Sequence, residues 1–334
     1  MPTSTATMRC LVMGGNRYIG LHLVHELARR GHDVTVMNSH EAPLPDGVRR
    51  LHGDRRQPGV IAEALGPHRD EFDIVYDNTS YTTADLEPMV ALFRGRIEQY
   101  VFTSSVAAYR RSFLQPIDET SRSHDPADTS AVKAYGVGKV RCERYLAAQH
   151  EAGGLPWTAL RVTHTFGPMS PLASREPIFF ERLATGRPIL VPGDGLAFVH
   201  LVHVADVAAC MAQVAGNRRA VGQLYNIAGH EITSVLGQMR MMAAAAGVDA
   251  SIVHVPTEVA RTLRHPLIHW GEALDGGAIY SIDKARRDLD WAPRWGLEAG
   301  YRDSYQWWAH GGRERYEYDF THDDEVLAQL GVSS

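Results

Sequence analysis

A phenol and an ammonium group stand four residues apart in the segment 135–139, which reads YGVGK. On a helix, this spacing puts Tyr135 and Lys139 on one face, one turn apart. The positive charge of the lysine would stabilise a phenolate and lower the tyrosine pKa from about 10 toward neutral pH. Such a pair can take a proton from a carbinol while its carbon loses a hydride. We therefore predict that Tyr135 is the catalytic acid or base and that Lys139 tunes it.

The composition favours this chemistry over a chance pair on an exposed helix. Of the 34 Lys and Arg residues, only Lys133, Lys139 and Lys284 are lysines, so the chain uses arginine for most of its cations. An arginine could not donate a proton or tune its partner as readily, which gives a reason for a lysine at 139. Ser105 ends the segment 102–105, which reads FTSS, and would hydrogen-bond the same substrate oxygen as Tyr135. We predict it as the third catalytic residue.

These side chains need a rigid frame, and the chain alternates between strand and helix signals. The apolar run at 8–13 is followed by a glycine-rich turn and then by apolar residues at helical spacing. Further apolar runs at 34–37, 73–76 and 100–102 repeat the strand signal. This alternation predicts an α/β fold with a doubly wound parallel sheet.

The pattern changes after Pro168, where Pro, Gly and Arg become frequent between short apolar pieces. We predict a smaller C-terminal substrate-binding lobe there. The predicted dinucleotide-binding domain covers residues 8–167, and residues 200–229 return to it. The predicted substrate-binding lobe consists of residues 168–199 and 230–330.

The turn after the first predicted strand is suited to a phosphate. Backbone N–H groups at the start of a helix, together with the helix dipole, attract a pyrophosphate. Arg17 could pair with cofactor phosphate through its guanidinium group. The predicted cofactor contacts in this turn are Gly14, Asn16, Arg17, Tyr18, Ile19 and Gly20.

The residues at the end of the second predicted strand bear on the choice of cofactor. An acid there would bind both ribose hydroxyls of NAD, whereas a nearby arginine would accept the extra phosphate of NADP. This chain has Asn38 and Ser39, which we predict as ribose contacts. Because Asn38 can hydrogen-bond a hydroxyl without repelling a phosphate, we predict NAD and leave NADP open.

Composition also limits the partners. The formal net charge is −5, whereas a nucleic-acid backbone usually requires a basic face. No stretch has the form of a signal peptide or approaches the roughly 18 apolar residues of a membrane span. We expect a cytoplasmic enzyme that acts on a small molecule, with no membrane as partner, and the charge does not favour a nucleic acid. No metal is predicted, because Pro266 interrupts the helical spacing of His265 and His269.

Together, these motifs resemble the extended short-chain dehydrogenase/reductase superfamily, in particular its NAD-dependent epimerase/dehydratase family. Further family landmarks are the segments 160–168, 191–195, 203–207, 225–229 and 281–286. The resemblance implies a Rossmann-like sheet and a redox-neutral epimerase or dehydratase. Its substrate would be a sugar, a nucleotide-sugar or a nucleoside or its phosphate, and a transient ketone would form. The resemblance also implies a homodimer.

The resemblance assigns further roles to single residues. Tyr135 and Lys139 would also contact the cofactor, with Lys139 holding the nicotinamide ribose. Asp54 would touch the adenine amino group, although a surface aspartate is the alternative. The implied substrate contacts are Tyr81, Ser104, Ser105 and His164. For His164, a packed core histidine is an equal alternative.

Three departures from the family pattern narrow the chemistry. Sugar 4,6-dehydratases of the family carry an acid pair where this chain has Val106 and Ala107. An arginine that commonly grips the substrate pyrophosphate is replaced by Val199, and a second one has no counterpart between Trp270 and Tyr280. The resemblance therefore favours an epimerase-like site, and a nucleoside, a monophosphate or an unactivated sugar becomes possible.

Within the superfamily, the chain is most similar to the chloroplast stem-loop-binding proteins and their bacterial relatives. The segments GGNRYIG, VYDNTSY, FFERLATGRPI and DFTHDDEVL carry this likeness. The plant proteins are associated with RNA and generally lack the Tyr-Lys pair, which this chain has. Two alternatives stay open beside the redox-neutral enzyme: an NADPH-dependent reductase or dehydrogenase, and an RNA-binding protein.

Overall fold

The computed structural model describes residues 7–262, 274 and 276–332. The strands in these residues are β1 (Arg9–Met13), β2 (Asp33–Asn38), β3 (Arg49–His52), β4 (Ile74–Asp77), β5 (Gln99–Ser105), β6 (Trp157–Val162), β7 (His164–Phe166), β8 (Ile189–Pro192), β9 (Phe198–Val199), β10 (Leu201–His203), β11 (Gln223–Ile227), β12 (Thr233–Ser234) and β13 (Ile252–Val255).

The α-helices of the same part of the chain are α1 (Tyr18–Arg29), α2 (Val60–Leu65), α3 (Thr83–Phe93), α4 (Ala134–Glu151), α5 (Glu176–Thr185), α6 (Val204–Val214), α7 (Val235–Ala246), α8 (Thr257–Thr262), α9 (Asp283–Leu289), α10 (Leu297–Trp307) and α11 (Thr321–Leu330). None of these helices is long and apolar enough to cross a membrane.

The main sheet has seven strands in the order β11-β6-β5-β4-β1-β2-β3. Every pairing in it is parallel. The chain runs outward from β1 to β3 on one side and then from β4 to β6 and β11 on the other. The predicted α/β fold with a Rossmann-like doubly wound parallel sheet is therefore confirmed.

Helices cover both faces of this sheet because both sets of alternating side chains are apolar. In β1, Cys10 and Val12 face a core formed with α1 and α6. Leu11 and Met13 face a second core, formed with α3 and α4. A strand that is apolar on both faces is stable only when it is buried between two layers.

Beyond β7 the chain builds a third core from aromatic and aliphatic residues of α5, α7 and α10. Short two-stranded sheets accompany it: β7 with β10, β9 with β12, and β8 with β13. Strand β11 returns to the main sheet beside β6, and α6 packs against α1. The division into a dinucleotide-binding domain and a substrate-binding lobe remains our prediction.

The last helix, α11, is fastened to α5 by a buried ion pair. Arg182 is fully buried and donates to Asp323, with 2.6 Å between its Nε and Oδ2 of Asp323. The ring of Phe320 lies under Arg182, with its centroid 5.4 Å from the guanidinium carbon. A second pair, Arg187 with Asp324, lies at the surface beside it. The segment DFTHDDEVL therefore has a structural role here.

Candidate active site

A cleft of about 450 Å³ lies at the carboxyl ends of β1, β2 and β4. In open parallel sheets, ligands bind at this edge, where neighbouring strands lead to crossovers in opposite directions. We call it the first cleft, and its walls include Gly14, Asn16, Arg17, Asn38, Ser39, Asp54, Thr79 and Tyr81.

Glycines make the turn between β1 and α1 tight enough to face this cleft. Gly14 has a φ of +78°, and a Cβ there would lie 2.3 Å from Cγ2 of Thr79. A Cβ on Gly20 would lie 2.0 Å from the carbonyl oxygen of Gly14. The side chain of Arg17 makes no capping hydrogen bond to α1, so the first N–H groups of that helix can bind an anion.

The remaining predicted residues of the turn take different places. Asn16 and Arg17 line the first cleft, and Asn16 donates to the carbonyl of His40 at 3.2 Å. Tyr18 is buried with a φ of +41°, and Ile19 packs against the core on the α1 side of the sheet. Neither Tyr18 nor Ile19 is among the residues that line the first cleft, so their predicted contacts with the cofactor stay a prediction.

The end of β2 presents an unsatisfied polar side chain to the first cleft. Asn38 is buried, and neither its Oδ1 nor its Nδ2 has a hydrogen-bond partner among the residues that the structure describes. Leaving such a group unpaired is costly, so a ligand hydroxyl at this place would be stabilising. The neighbouring Ser39 bonds to the ring of His40, with 2.8 Å between Oγ and Nδ1. The glycine turn and Asn38 together fit a dinucleotide.

Asp54 stands on the wall of the first cleft, paired with Arg56 at 2.7 Å. Hydrogen bonds from Arg56 lower the pKa of Asp54 to about 2, so the carboxylate stays charged. A charged acceptor at this place can receive an N–H from an adenine amino group, as the resemblance implies.

Helix α4 carries the Tyr-Lys pair and lies unusually close to the loops after β4 and β5. A Cβ on Gly136 would be 2.0 Å from the carbonyl oxygen of Ala107. A Cβ on Gly138 would be 2.6 Å from the carbonyl oxygen of Tyr81. The two glycines between Tyr135 and Lys139 therefore allow this approach, a function that the spacing argument did not assign to them.

Lys139 is buried and points inward. Its Nζ donates to the carbonyls of Ser80 and Thr103, each at 2.8 Å. It also lies 4.8 Å from the ring centroid of Tyr81. Burial lowers the pKa of Lys139 to about 8, although the charge of Asp77 acts in the opposite direction.

Tyr135 lies where the two sides of the site meet. Its ring is 6.2 Å from the ring of Tyr81, its residue is 51% exposed, and Ser105 hydrogen-bonds its hydroxyl. Burial of the hydroxyl raises the tyrosine pKa, and the bond to Ser105 only partly offsets this. In the protein alone the pKa of Tyr135 is therefore raised and not lowered as the spacing predicted, because Nζ of Lys139, 5.9 Å from the ring centroid, donates to backbone carbonyls.

The two serines at the end of β5 point to opposite sides, as successive strand residues must. Ser105 accepts from the N–H of Ala107 at 3.2 Å and faces Tyr135. Ser104 is buried and donates to Glu143 at 2.5 Å. Glu143 also forms an ion pair with Arg161. Ser104 therefore does not fit its predicted role as a substrate contact.

A buried network at the end of β4 was not predicted from the sequence. Arg55 donates to Asp77 at 2.8 Å and to the carbonyl of Asp85 at 2.6 Å. Asp77 also accepts from the hydroxyls of Ser80 and Tyr100, each at 2.6 Å. Burial opposes its charge, but Arg55 and these bonds outweigh it and lower the pKa of Asp77 to about 2. The network fixes the Ser80 carbonyl that holds Lys139.

A second cleft of about 530 Å³ opens beside Ser105. Its walls include Ala107, Arg110, Arg111, His124, His164, Val199, His200 and Tyr280. Tyr81 lines the first cleft instead, next to Tyr135. His164 lines the second cleft, and its role as a substrate contact stays a prediction.

Comparison with known proteins gives the family of this chain. The model of the NAD-dependent epimerase/dehydratase family matches residues 10–228, more than half of the chain. The chain belongs to this family. The resemblance inferred from the motifs is confirmed, and with it an NAD-dependent enzyme of the short-chain dehydrogenase/reductase type that uses NAD as its cofactor.

Two relatives and one solved structure illustrate how widely this family has diverged. The chloroplast stem-loop binding protein of 41 kDa b from Arabidopsis thaliana is 30% identical over 98% of this chain and 86% of its own length. UDP-N-acetyl-alpha-D-glucosaminuronate decarboxylase from Bacillus cytotoxicus is 25% identical over 90% of this chain and 97% of its own length. UDP-glucuronic acid 4-epimerase from Bacillus cereus in complex with NAD shares the fold, with a TM-score of 0.74, 18% identity, and coverage of 91% of this chain and 99% of that one.

Proposed function

We propose that the protein is a redox-neutral sugar epimerase that oxidises a carbinol to a transient ketone and then reduces it again. The observation that carries this proposal is the position of Tyr135. Its hydroxyl is bonded to Ser105, its ring faces Tyr81 of the first cleft, and its helix touches Ala107 of the second. The names of the family relatives support a sugar as substrate.

The cofactor would occupy the first cleft. The glycine turn and the first N–H groups of α1 would hold the pyrophosphate, and Asn38 with Ser39 would hold the adenosine ribose. Asp54 would receive the adenine amino group, and Lys139 would hold the nicotinamide ribose. When bound, NAD would supply the group that accepts the hydride from the carbinol carbon.

Side chains of this protein would transfer the proton of the substrate hydroxyl. Ser105 orients the reacting oxygen by a hydrogen bond, and Tyr135 takes the hydroxyl proton and later returns it. The pKa of Tyr135 is raised in the protein alone, so its phenolate would be stabilised by Lys139 together with the positive charge that NAD would supply when bound. His164 would contact a hydroxyl of the sugar.

Epimerisation is favoured over dehydration because no carboxylate lies where dehydration would need one, directly after Ser105 or in the described lining of the second cleft. Val106 and Ala107 follow Ser105, and the second cleft has no Asp or Glu among its described lining residues. Dehydration needs such groups to move a second proton and expel water. A dehydratase would have to use acids from elsewhere in the chain.

The test is a panel of sugars, sugar phosphates and nucleotide-sugars, incubated with the protein and NAD in deuterated water. We expect an epimer with no net NADH and no solvent deuterium, because the hydride returns to its own carbon. Deuterium at a neighbouring carbon would indicate dehydration. Stoichiometric formation of NADH with an accumulating ketone would contradict the proposal and favour the dehydrogenase alternative.

The RNA-binding alternative has its own measurement. A titration of labelled stem-loop RNA at physiological salt should give no specific binding, because the chain has a net charge of −5. Tight binding under these conditions, with no turnover of any sugar, would overturn the enzymatic proposal.

A further inference from the structure

A third cleft, of about 200 Å³, adjoins the first cleft at the turn between β1 and α1. Asn16 and Arg17 line both clefts. The facing wall of the third cleft comes from the C-terminal part of the chain, through Trp307, Arg315 and Tyr316. These three residues lie well beyond residues 10–228, which the family model matches. Membership of the family therefore assigns them no role.

The third cleft is positively charged. Two arginines line it, and none of its described lining residues is Asp or Glu. Neither Arg17 nor Arg315 forms an ion pair or a side-chain hydrogen bond with any residue that the structure describes. By contrast, the two other arginines that line the first cleft are each paired with an aspartate. The charges of Arg17 and Arg315 are therefore available to an anionic group that lies beside the turn.

The backbone on both sides of Arg315 is fastened to the rest of the protein. Arg313 donates to Glu181 of α5 through Nε at 2.7 Å and through Nη2 at 2.6 Å. The hydroxyl of Tyr316 donates to the carbonyl of Ser170, in the loop after β7, at 2.6 Å. The segment 313–316 thus holds the backbone of Arg315 in place, while its side chain is exposed at the third cleft.

Two further features of the third cleft are typical of a place where a ligand is held. The guanidinium carbon of Arg315 lies 5.6 Å from the ring centroid of Trp307, so the indole supports the charged group from one side. Tyr18 and Met169 both line the cleft and have positive φ values, +41° and +64°. Non-glycine residues rarely adopt such a backbone, and those that do cluster at active sites and ligand clamps.

We propose that Arg315 binds the pyrophosphate of NAD together with Arg17, so that the segment 313–316 is a strap that holds the cofactor from the C-terminal side. This inference rests on the proposed function, which puts the pyrophosphate at the turn before α1. Each phosphate of the cofactor carries a negative charge, and guanidinium groups bind phosphate oxygens through charge-assisted hydrogen bonds. The strap adds to the N–H groups at the start of α1 and does not replace them.

The test is calorimetric titration of the full-length protein with NAD and with ADP-ribose, which both contain the pyrophosphate. Adenosine, which has no phosphate, is measured by its competition with NAD. Arg315→Gln should weaken the binding of NAD and ADP-ribose by roughly tenfold and leave the binding of adenosine unchanged. Added salt should weaken NAD binding more steeply in the wild type than in this variant, because one charged contact with the cofactor is missing from the variant.

Arg302→Gln is the matched control, because Arg302 is an exposed arginine of α10 that lines none of the three clefts. It should bind NAD as the wild type does, and Arg315→Lys, which keeps the positive charge, should retain most of the affinity. Unchanged NAD affinity in Arg315→Gln, or an equal loss for NAD and adenosine, would overturn this inference.

Gly14→Ala shows which part of the account has failed. If it weakens NAD binding and Arg315→Gln does not, the cofactor still lies at the turn and only the strap is rejected. If neither variant changes the affinity for NAD, the placement of the cofactor is rejected as well. Turnover of a sugar plays no part in these measurements, so they do not depend on which reaction the protein catalyses.

Discussion

At the scale of single residues, Lys139 is the side chain whose environment says most about its use. An ammonium group has three N–H donors, and two of them go to the carbonyls of Ser80 and Thr103. These bonds hold the side chain rigidly, and in the proposed function the third donor would bind the cofactor ribose. Burial gives the ammonium a pKa of about 8, so the charge can be lost within the working range of pH.

The affinity for NAD should therefore fall as pH rises through about 8, because Lys139 is charged below this pKa and neutral above it. Lys139→Met should bind NAD roughly tenfold more weakly at pH 7 and lose this pH dependence. The measurement is the dissociation constant of NAD between about pH 6.5 and pH 9.5. Lys133→Met, at an exposed lysine before α4, should behave as the wild type. A variant at 139 that kept the wild-type profile would show that the ammonium does not touch the cofactor.

Spacing in the sequence was sufficient to place Tyr135 and Lys139 on one helix face and Ser105 at a strand end. It could not give the direction of the lysine, because that depends on carbonyls of β5 and of the loop after β4. It could not separate Ser105 from Ser104 either. Successive residues of a strand face opposite sides of the sheet. Which of the two serines faces Tyr135 is known only once the strand register is known.

At the scale of elements, the turn between β1 and α1 brings the sheet edge and the helix N-terminus together. Two features require glycine at position 14. Its φ lies in the left-handed region, and a Cβ there would overlap Thr79. Gly31, at the other end of α1, has a similar φ of +82° but no atom within 4 Å of an added Cβ. Substituting each glycine in turn therefore separates the free-energy cost of backbone strain from the cost of overlap with Thr79.

Gly31→Ala should lower the free energy of unfolding by about 1 kcal/mol, the cost of a left-handed conformation for alanine. Gly14→Ala should cost about 1–3 kcal/mol more, because its methyl group overlaps Thr79. It should also weaken NAD binding, whereas Gly31→Ala should not. Urea unfolding and NAD titration check both. Equal costs in the two variants would contradict the tight turn described here.

The strands and helices themselves follow from the alternation of apolar runs, which is why the doubly wound sheet could be predicted. The network of Arg55 and Asp77 could not, because these residues are 22 positions apart and meet only through the strand order. Likewise, Arg315 is one among many arginines in the sequence. The structure distinguishes it by the cleft that it lines.

At the scale of the whole molecule, α11 closes the C-terminal region onto α5. Breaking a buried ion pair on one side leaves an unpaired charge, which typically costs about 3–5 kcal/mol. Asp323→Asn should therefore lower the free energy of unfolding by about this amount, because Arg182 is fully buried. Asp324→Asn, in the exposed pair with Arg187, should cost less than about 1 kcal/mol. Urea unfolding of both variants checks this. Similar decreases in the free energy of unfolding would argue against α11 as an element anchored by the buried pair.

The central claim is that Tyr135 moves the proton while NAD takes the hydride. The most direct measurement is the rate at which bound NAD is reduced when the sugar substrate is mixed with the protein in a single turnover. Tyr135→Phe, measured at a concentration of NAD that saturates the variant, should slow this step by roughly 10²–10⁴-fold. Tyr145→Phe, a half-buried tyrosine on the same helix, should react like the wild type. An unchanged rate in Tyr135→Phe would contradict the account.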